Sequence, residues 1–333
     1  MSGTDLSNEL IGSSLDVRSG EATATHDSPT PQLEKIDLYL YRSKKPLWKP
    51  VSSSLGVFGG QVISQAIQAA TCVSEDKSGE RYGLHSFHCY FLLAGQSTMP
   101  VVYHVHPLRL GKSYQTYYVR ASQDGNNIFT LTASFALPEP TQPHFSISPP
   151  LDVPPPDECE LNEDRWQRFL DKYQSKLDLR LVDVIKARID ERRTSALALK
   201  DASKVSKFDD KGHFIASNEH SWWIKARTSP GDKASKQKAI LAYMSDMNFI
   251  HTVAHSLGLR QYFNLGMITS IDHSMWFYDD FDVGDWLLYK TICPRATHGR
   301  GNVHGEFWTR DGRLVAITAQ QGLVREKKPE ARL

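Results

Sequence analysis

Two stretches of the chain repeat one hydrophobic pattern. In the first, Gly56-Val-Phe-Gly-Gly-Gln61 opens an apolar run, Val62 to Ala70, whose spacing predicts a helix. Four runs rich in β-branched and aromatic residues follow: His85–Phe91, Val101–Val105, Tyr114–Ala121 and Ile128–Phe135. Their alternation predicts strands. In the second stretch a helical pattern covers Asp246 to His255, and strand-like runs cover Ile271–Phe277, Trp286–Cys293, Val303–Thr309 and Leu314–Gln321. Asp124-Gly125 and Asp311-Gly312 each read as a hairpin turn. His88 and His273 are 185 residues apart, and Asp124 and Asp311 are 187 apart, so matched order comes with a near-constant offset. This predicts an α+β chain built by internal duplication. Each half wraps an antiparallel sheet around one long helix, and the two sheets join edge to edge, which covers an exposed edge of each.

The remaining segments set the boundaries. Eight of the 17 prolines fall between Pro138 and Pro156, and proline cannot donate to a ladder, so this stretch is a linker or surface crossing. A charged, helical region follows from Asp157 to about Lys211. Met1 to Gln32, rich in Ser, Thr, Asp and Gly, reads as a disordered leader. The expected organisation is therefore a leader over 1–32, a first unit over 33–137, a linker and insertion over 138–220, a second unit over 221–325, and a tail over 326–333.

Composition narrows the function classes. A formal net charge of +1 gives no field that would draw nucleic acid. No apolar run reaches the roughly 18 residues of a membrane span. The four cysteines are scattered without a C-x-x-C pair, which argues against a disulfide scaffold or a cysteine-rich zinc site and favours a reducing compartment. The sequence ends in Ala331-Arg332-Leu333, small–basic–leucine, the physical pattern of the Ser-Lys-Leu peroxisomal address.

Several chemical motifs fail. Gly111-Lys112-Ser113 lacks the earlier glycine of a P-loop, because position 106 is His. His251 and His255 have zinc-helix spacing, but Thr252 stands where the catalytic Glu belongs. His104 and His106 share a strand face without an obvious third ligand. No G-x-S-x-G elbow exists. No metal or cofactor is expected. What remains is a set of polar residues in apolar surroundings. Asp246 reads as the start of an apolar helix, either a helix-end charge or a general base. Thr269 and Ser270 precede Ile271-Asp-His-Ser-Met-Trp276, and Gln320 and Gln321 end an apolar strand. From pattern alone each has a structural reading beside the functional one.

Tyr243-Met-Ser-Asp-Met-Asn-Phe249, Ser270-Ile-Asp-His-Ser-Met-Trp-Phe277 and Ala319-Gln-Gln-Gly322 resemble the C-terminal half of the type II acyl-CoA thioesterases. Phe58-Gly-Gly-Gln61 and Leu84-His-Ser-Phe-His88 resemble the N-terminal half of that family. The likeness runs in order from about Leu33 to Arg325. It implies a double hotdog fold and hydrolysis of acyl-CoA to a fatty acid and CoA. It also implies a catalytic set of Asp246, Ser270 and Gln320, each position holding a residue type that the family uses. On this reading Asp246 activates a water that Ser270 and Gln320 hold, with the oxyanion at the start of the Asp246 helix. Ser270 as a nucleophile is the competing view.

A rough alignment sets Ser134 opposite Gln320, which leaves the first half a scaffold role. From Arg180 to Lys238 there are 14 Lys/Arg against 8 Asp/Glu, either a field for the CoA phosphates or a solvated helical face. With an acyl-CoA substrate, the terminal tripeptide implies a peroxisomal import receptor as partner and a place in the peroxisomal matrix, otherwise the cytoplasm. A homodimer or higher oligomer is also expected. Alternatives are a non-catalytic acyl-CoA-binding protein, or another hotdog enzyme such as a dehydratase or acyltransferase.

Overall fold

The computed structural model describes residues 29–50, 56–177, 179–203, 215–259 and 265–327. Most of the expected leader and the Ala331-Arg332-Leu333 tripeptide lie outside them.

In the first half, β1 (Leu33–Asp37) and β2 (Leu40–Ser43) precede helix α1 (Gly59–Ser78). Then come β3 (Gly83–Phe91), β4 (Val102–Leu110), β5 (Tyr114–Gln123) and β6 (Asn126–Ala136). Helix α1 is buried on nearly all sides through Val62, Ile63, Ala66, Ile67, Ala69, Ala70 and Val73, because the sheet curls around it. Asp124 and Gly125 both have positive φ, 47° and 73°. That is the left-handed pair a tight hairpin between β5 and β6 requires.

The intervening segment carries α2 (Asn162–Tyr173), α3 (Leu179–Arg193) and one unexpected strand, β7 (Leu197–Asp201). The second half contains β8 (Glu219–Ala226), α4 (Ala234–Ser245), the short α5 (His251–Ser256), β9 (Leu265–Ser270), β10 (Asp272–Phe277), β11 (Leu287–Thr297), β12 (Arg300–Trp308) and β13 (Leu314–Glu326). The short Leu197-Ala-Leu run inside a charged neighbourhood has too little length for periodicity to mark it. Its pairing partner β8 supplies the missing context, with Leu199 opposite Ile224.

The strands form one sheet in the order β1-β2-β4-β5-β6-β3-β10-β13-β12-β11-β8-β7, with β9 paired to β13. The halves meet where β3 runs antiparallel to β10, with Cys89 opposite His273 and His88 opposite Ser274. The order on one side of this seam repeats in reverse on the other, as a duplicated unit joined edge to edge must do. The chain is thus an α+β double hotdog. Helices α1 and α4 pack against each other and share one apolar core with both halves of the sheet.

Facing refines the repeat. His88 points outward and is exposed, whereas His273 is fully buried. The inward counterpart of His273 is therefore Phe87, whose ring stacks on it at 5.8 Å. The second long helix also lies upstream of the expected 246–255 span. Gln237 to Ser245 are free of glycine and proline and almost all buried. Asn248, in the left-handed region at φ 59°, then stops the helix.

Candidate active site

Asp246 is the C-terminal cap of α4, not the start of a helix. Its own helix therefore turns its negative end toward the carboxylate and offers it no first-turn N–H groups. The helix whose start reaches Asp246 belongs to the other half. The backbone N–H of Gly60, at the N-terminus of α1, donates to the Asp246 carboxylate. Two glycines make this approach possible. A methyl group on Gly59 would sit 2.8 Å from Asp246 Oδ2 and 2.7 Å from the Phe91 ring, and one on Gly60 would sit 2.5 Å from the Tyr243 carbonyl oxygen. The Phe58-Gly-Gly-Gln61 string is thus a close-contact device, and an oxyanion site at the start of the Asp246 helix is ruled out.

The structure brings the three expected side chains together although they are up to 74 residues apart. Ser270 ends β9, Gln320 lies on β13, and these strands pair so that Ser270 stands opposite Gly322. Gln320 Nε2 donates to Asp246 Oδ1 at 3.1 Å and to Ser270 Oγ in a short contact. An amide nitrogen has two protons, so one group spans both oxygens. Gln320 is 2% exposed and stands behind the other two; Asp246 and Ser270 reach the cleft wall.

Burial dominates the electrostatics. It pushes the Asp246 carboxyl up to about 7, with the Gln320 and Gly60 hydrogen bonds opposing it in part. A carboxylate so tuned is half ionised near neutrality, which suits a general base. His273, buried beside Gln320, is pushed down to about 3 by the same cause and stays neutral.

The cleft above these groups has a volume of about 420 Å³. Its apolar wall comes from both halves: Trp48, Phe58, Phe91 and Phe129 from the first, Ile250, Ile268 and Leu323 from the second. Arg188, Glu191 and Arg192 of α3 line it as well. The first half therefore supplies a helix end and half a wall in addition to scaffold. The glycine pair ahead of an apolar helix was the available signal for this, since such a helix start can approach an anion closely.

Counting from the hairpin aspartates corrects the alignment of the halves. Gln320 is nine residues after Asp311 (320 − 311), and the residue nine after Asp124 is Ala133 (124 + 9). Both are inward-facing, with Tyr117 opposite Ala133 and Val303 opposite Gln320. Ser134 faces the other way and bonds to His85. With alanine in place of glutamine, the first half has no counterpart of the amide bridge.

Other candidates separate from this site. Asp272 and His273 point to opposite faces of β10, and Asp272 accepts the Gln321 N–H, so they form no acid–histidine pair of the dehydratase kind. His255 bonds His220 at 2.9 Å. Among the described residues no group of three or more potential ligands surrounds a metal position, and no helix is long and apolar enough to cross a membrane.

A double hotdog with a carboxylate, hydroxyl and amide joined beside an apolar cleft defines an acyl-thioester hydrolase class. Residues 192–323 match the acyl-CoA thioesterase family model, and residues 48–136 match the model of the acyl-CoA thioesterase N-terminal domain. The chain is 36% identical to acyl-coenzyme A thioesterase 8 of Mus musculus over 300 residues, covering 89% of this chain and 87% of the relative. It is 24% identical to peroxisomal acyl-coenzyme A thioester hydrolase 1 of Saccharomyces cerevisiae, over 83% of this chain and 87% of the relative. Among solved structures, acyl-CoA thioesterase II TesB2 from Mycobacterium marinum superposes with a TM-score of 0.66 at 27% identity, over 89% of this chain and 97% of the other. The chain belongs to the type II acyl-CoA thioesterase family.

Proposed function

We propose that this acyl-CoA thioesterase hydrolyses its substrate by direct attack of a water held between Asp246 and Ser270. The observation that carries the reading is the single amide of Gln320 reaching both Asp246 Oδ1 and Ser270 Oγ. Ser270 accepts from Gln320, which leaves its own O–H to donate to the water. Asp246 takes a proton from that water as its oxygen bonds to the thioester carbon. The carbonyl becomes an oxyanion at the positive N-terminal end of α1. Collapse of the tetrahedral species breaks the C–S bond, and the proton on Asp246 returns to the leaving thiolate. Gln320 fixes the spacing of the two oxygens, so the water is bound in an attack geometry without reorganisation.

No histidine contacts Ser270 among the described hydrogen bonds, so a base to activate it as a nucleophile has no support here. The apolar wall suits an acyl chain, and Arg188 and Arg192 at the cleft suit the phosphates of CoA. Purified protein should release one thiol and one fatty acid per saturated acyl-CoA consumed. Stoichiometric binding without thiol release would leave a binding protein instead.

The same reading places the enzyme in the peroxisomal matrix, supported by the name of the yeast relative, and treats it as a homodimer or higher oligomer. A fluorescent fusion should be punctate with Ala331-Arg332-Leu333 intact and diffuse without it; puncta that persist after deletion would remove the receptor from the account. Light scattering that gives a monomer would remove the oligomer. The unit boundaries at about 33–137 and 221–325 belong to the reading too, with β7 joining the sheet from the intervening segment.

A further inference from the structure

His273 lies on β10 directly across from Gln320, because Ser274 pairs with Ala319 and the next antiparallel position pairs 273 with 320. Both side chains point inward and are buried, at 0% and 2% exposure. Cross-strand neighbours on one face are within contact reach. The imidazole is clamped between the Phe87 ring, stacked at 5.8 Å, and the Phe249 ring, edge-on at 5.5 Å. Its Nε2 is 2.9 Å from Ser245 Oγ. Two buried polar atoms remain in this corner with no other partner: Nδ1 of His273 and Oε1 of Gln320.

A neutral imidazole carries one N–H, on either nitrogen. With the proton on Nε2, the Ser245 hydroxyl accepts it and gives its own proton to the Ala242 carbonyl oxygen, but Nδ1 and the Gln320 carbonyl oxygen, both buried acceptors, go unsatisfied. With the proton on Nδ1, that N–H is free to donate to Gln320 Oε1, and the one proton of the Ser245 hydroxyl turns from the Ala242 carbonyl oxygen at 2.8 Å to Nε2 at 2.9 Å. One choice of tautomer satisfies both orphan atoms. It also decides the amide. If Gln320 were turned over, its NH₂ would meet the Nδ1 proton and its carbonyl would meet the Asp246 carboxylate, donor on donor and acceptor on acceptor.

We infer that His273 is a positioning residue, held as the Nδ1–H tautomer, whose hydrogen bond to Gln320 locks the amide with its NH₂ toward Asp246 and Ser270. It touches neither substrate nor water and acts only through Gln320. Burial is consistent with this, since it keeps the ring neutral across the physiological range and so leaves one nitrogen a donor and the other an acceptor. The inference rests on Gln320 belonging to the water-holding group, but its first test does not.

The first test is nitrogen NMR of the whole protein labelled in histidine. His273 should show a protonated Nδ1 and a bare Nε2. An Nε2–H tautomer or an imidazolium at neutral pH overturns the inference, whatever the catalytic mechanism. The second is a set of substitutions read by thiol release. His273→Phe keeps the ring stack and removes the proton; kcat should fall tenfold or more while KM changes less than about threefold. His273→Asn places an amide N–H near the position of Nδ1 and should recover most of kcat. His273→Gln reaches toward the Nε2 position and should not. Full kcat in His273→Phe, or equal rescue by Asn and Gln, overturns the lock. If His273→Phe fails to fold, the tautomer and the Asn–Gln contrast still decide.

Discussion

Asp246→Asn should lower kcat by about 10²–10⁴-fold while leaving acyl-CoA affinity nearly unchanged, and it should make the protein more stable above pH 7. The two effects have one cause. The carboxylate is the proton acceptor, and Asn has the same shape without the basicity. Its Oδ1 still accepts from Gln320, so the cleft keeps its form. The stability gain follows from the pKa. In the folded protein the carboxyl titrates at about 7, against an ordinary value of 3.8. The folded state therefore holds the proton more tightly than the unfolded one.

Well below pH 4 both states are protonated and burial exacts no charge penalty. As pH rises from about 4 to about 7, the unfolded chain ionises first and stability is lost. Above 7 the full penalty is present, on the order of a few kcal/mol at about 1.4 kcal/mol per pKa unit. Asn removes it. Thermal unfolding should give a higher Tm for the variant at pH 8 and a much smaller difference at pH 4.5. Equal Tm values at pH 8 would contradict a carboxyl whose pKa is raised on folding.

Gly60→Ala should be the most damaging methyl in the first half. The new Cβ would lie 2.5 Å from the carbonyl oxygen of Tyr243. That oxygen is backbone on α4, so it cannot swing aside as a flexible side chain would. The N-terminus of α1 must move away from the end of α4. The Gly60 N–H then leaves Asp246, and the positive helix end leaves the thioester carbonyl. Loss of one oxyanion donor costs about 10²–10³ in kcat, and withdrawal of the helix end from the thioester carbonyl should cost a comparable factor. Overpacking adds about 1–3 kcal/mol of destabilisation. The measurement is kcat on folded protein, with Tm recorded beside it. Wild-type kcat would show that the helix start takes no part in catalysis.

This second prediction was not legible in the sequence, and the reason is physical. Periodicity reports which face of an element is apolar, and it marked α1 and eight of the strands well. It does not report which end of a helix meets which other element. Asp246 sits beside an apolar run on both sides, Leu241 to Met244 before it and Phe249 onward after it. Pattern alone cannot say whether it opens one helix or closes another. The left-handed turn at Asn248 settles that, and it depends on tertiary packing.

The same limit explains the pairing of His88 with His273. Equal residue type at a plausible offset outweighed strand parity, and a one-residue slip exchanges the faces of a sheet. Strands β1, β2, β7, β8 and β9 escape the pattern: β1, β2, β7 and β9 are runs of four to six residues with too few alternations, and β8 is buried at five successive positions, so it shows none. By contrast, Asp246, Ser270 and Gln320 stand out singly as polar residues in apolar runs, and only the family resemblance joins them, since no spacing rule links residues that far apart. What the fold adds is the bond pattern among them and the glycine pair from the other half.

The central claim is that Asp246 is the base. The pH dependence of kcat/KM for one saturated acyl-CoA, measured by thiol release for the wild type and for Asp246→Asn, tests it most directly. The wild-type rate should rise with pH through an inflection near 7, as the buried carboxylate ionises, and level off above it. The residual rate of the variant should show no inflection there. A wild-type profile flat through pH 7, or an inflection that survives the substitution, would contradict the assignment.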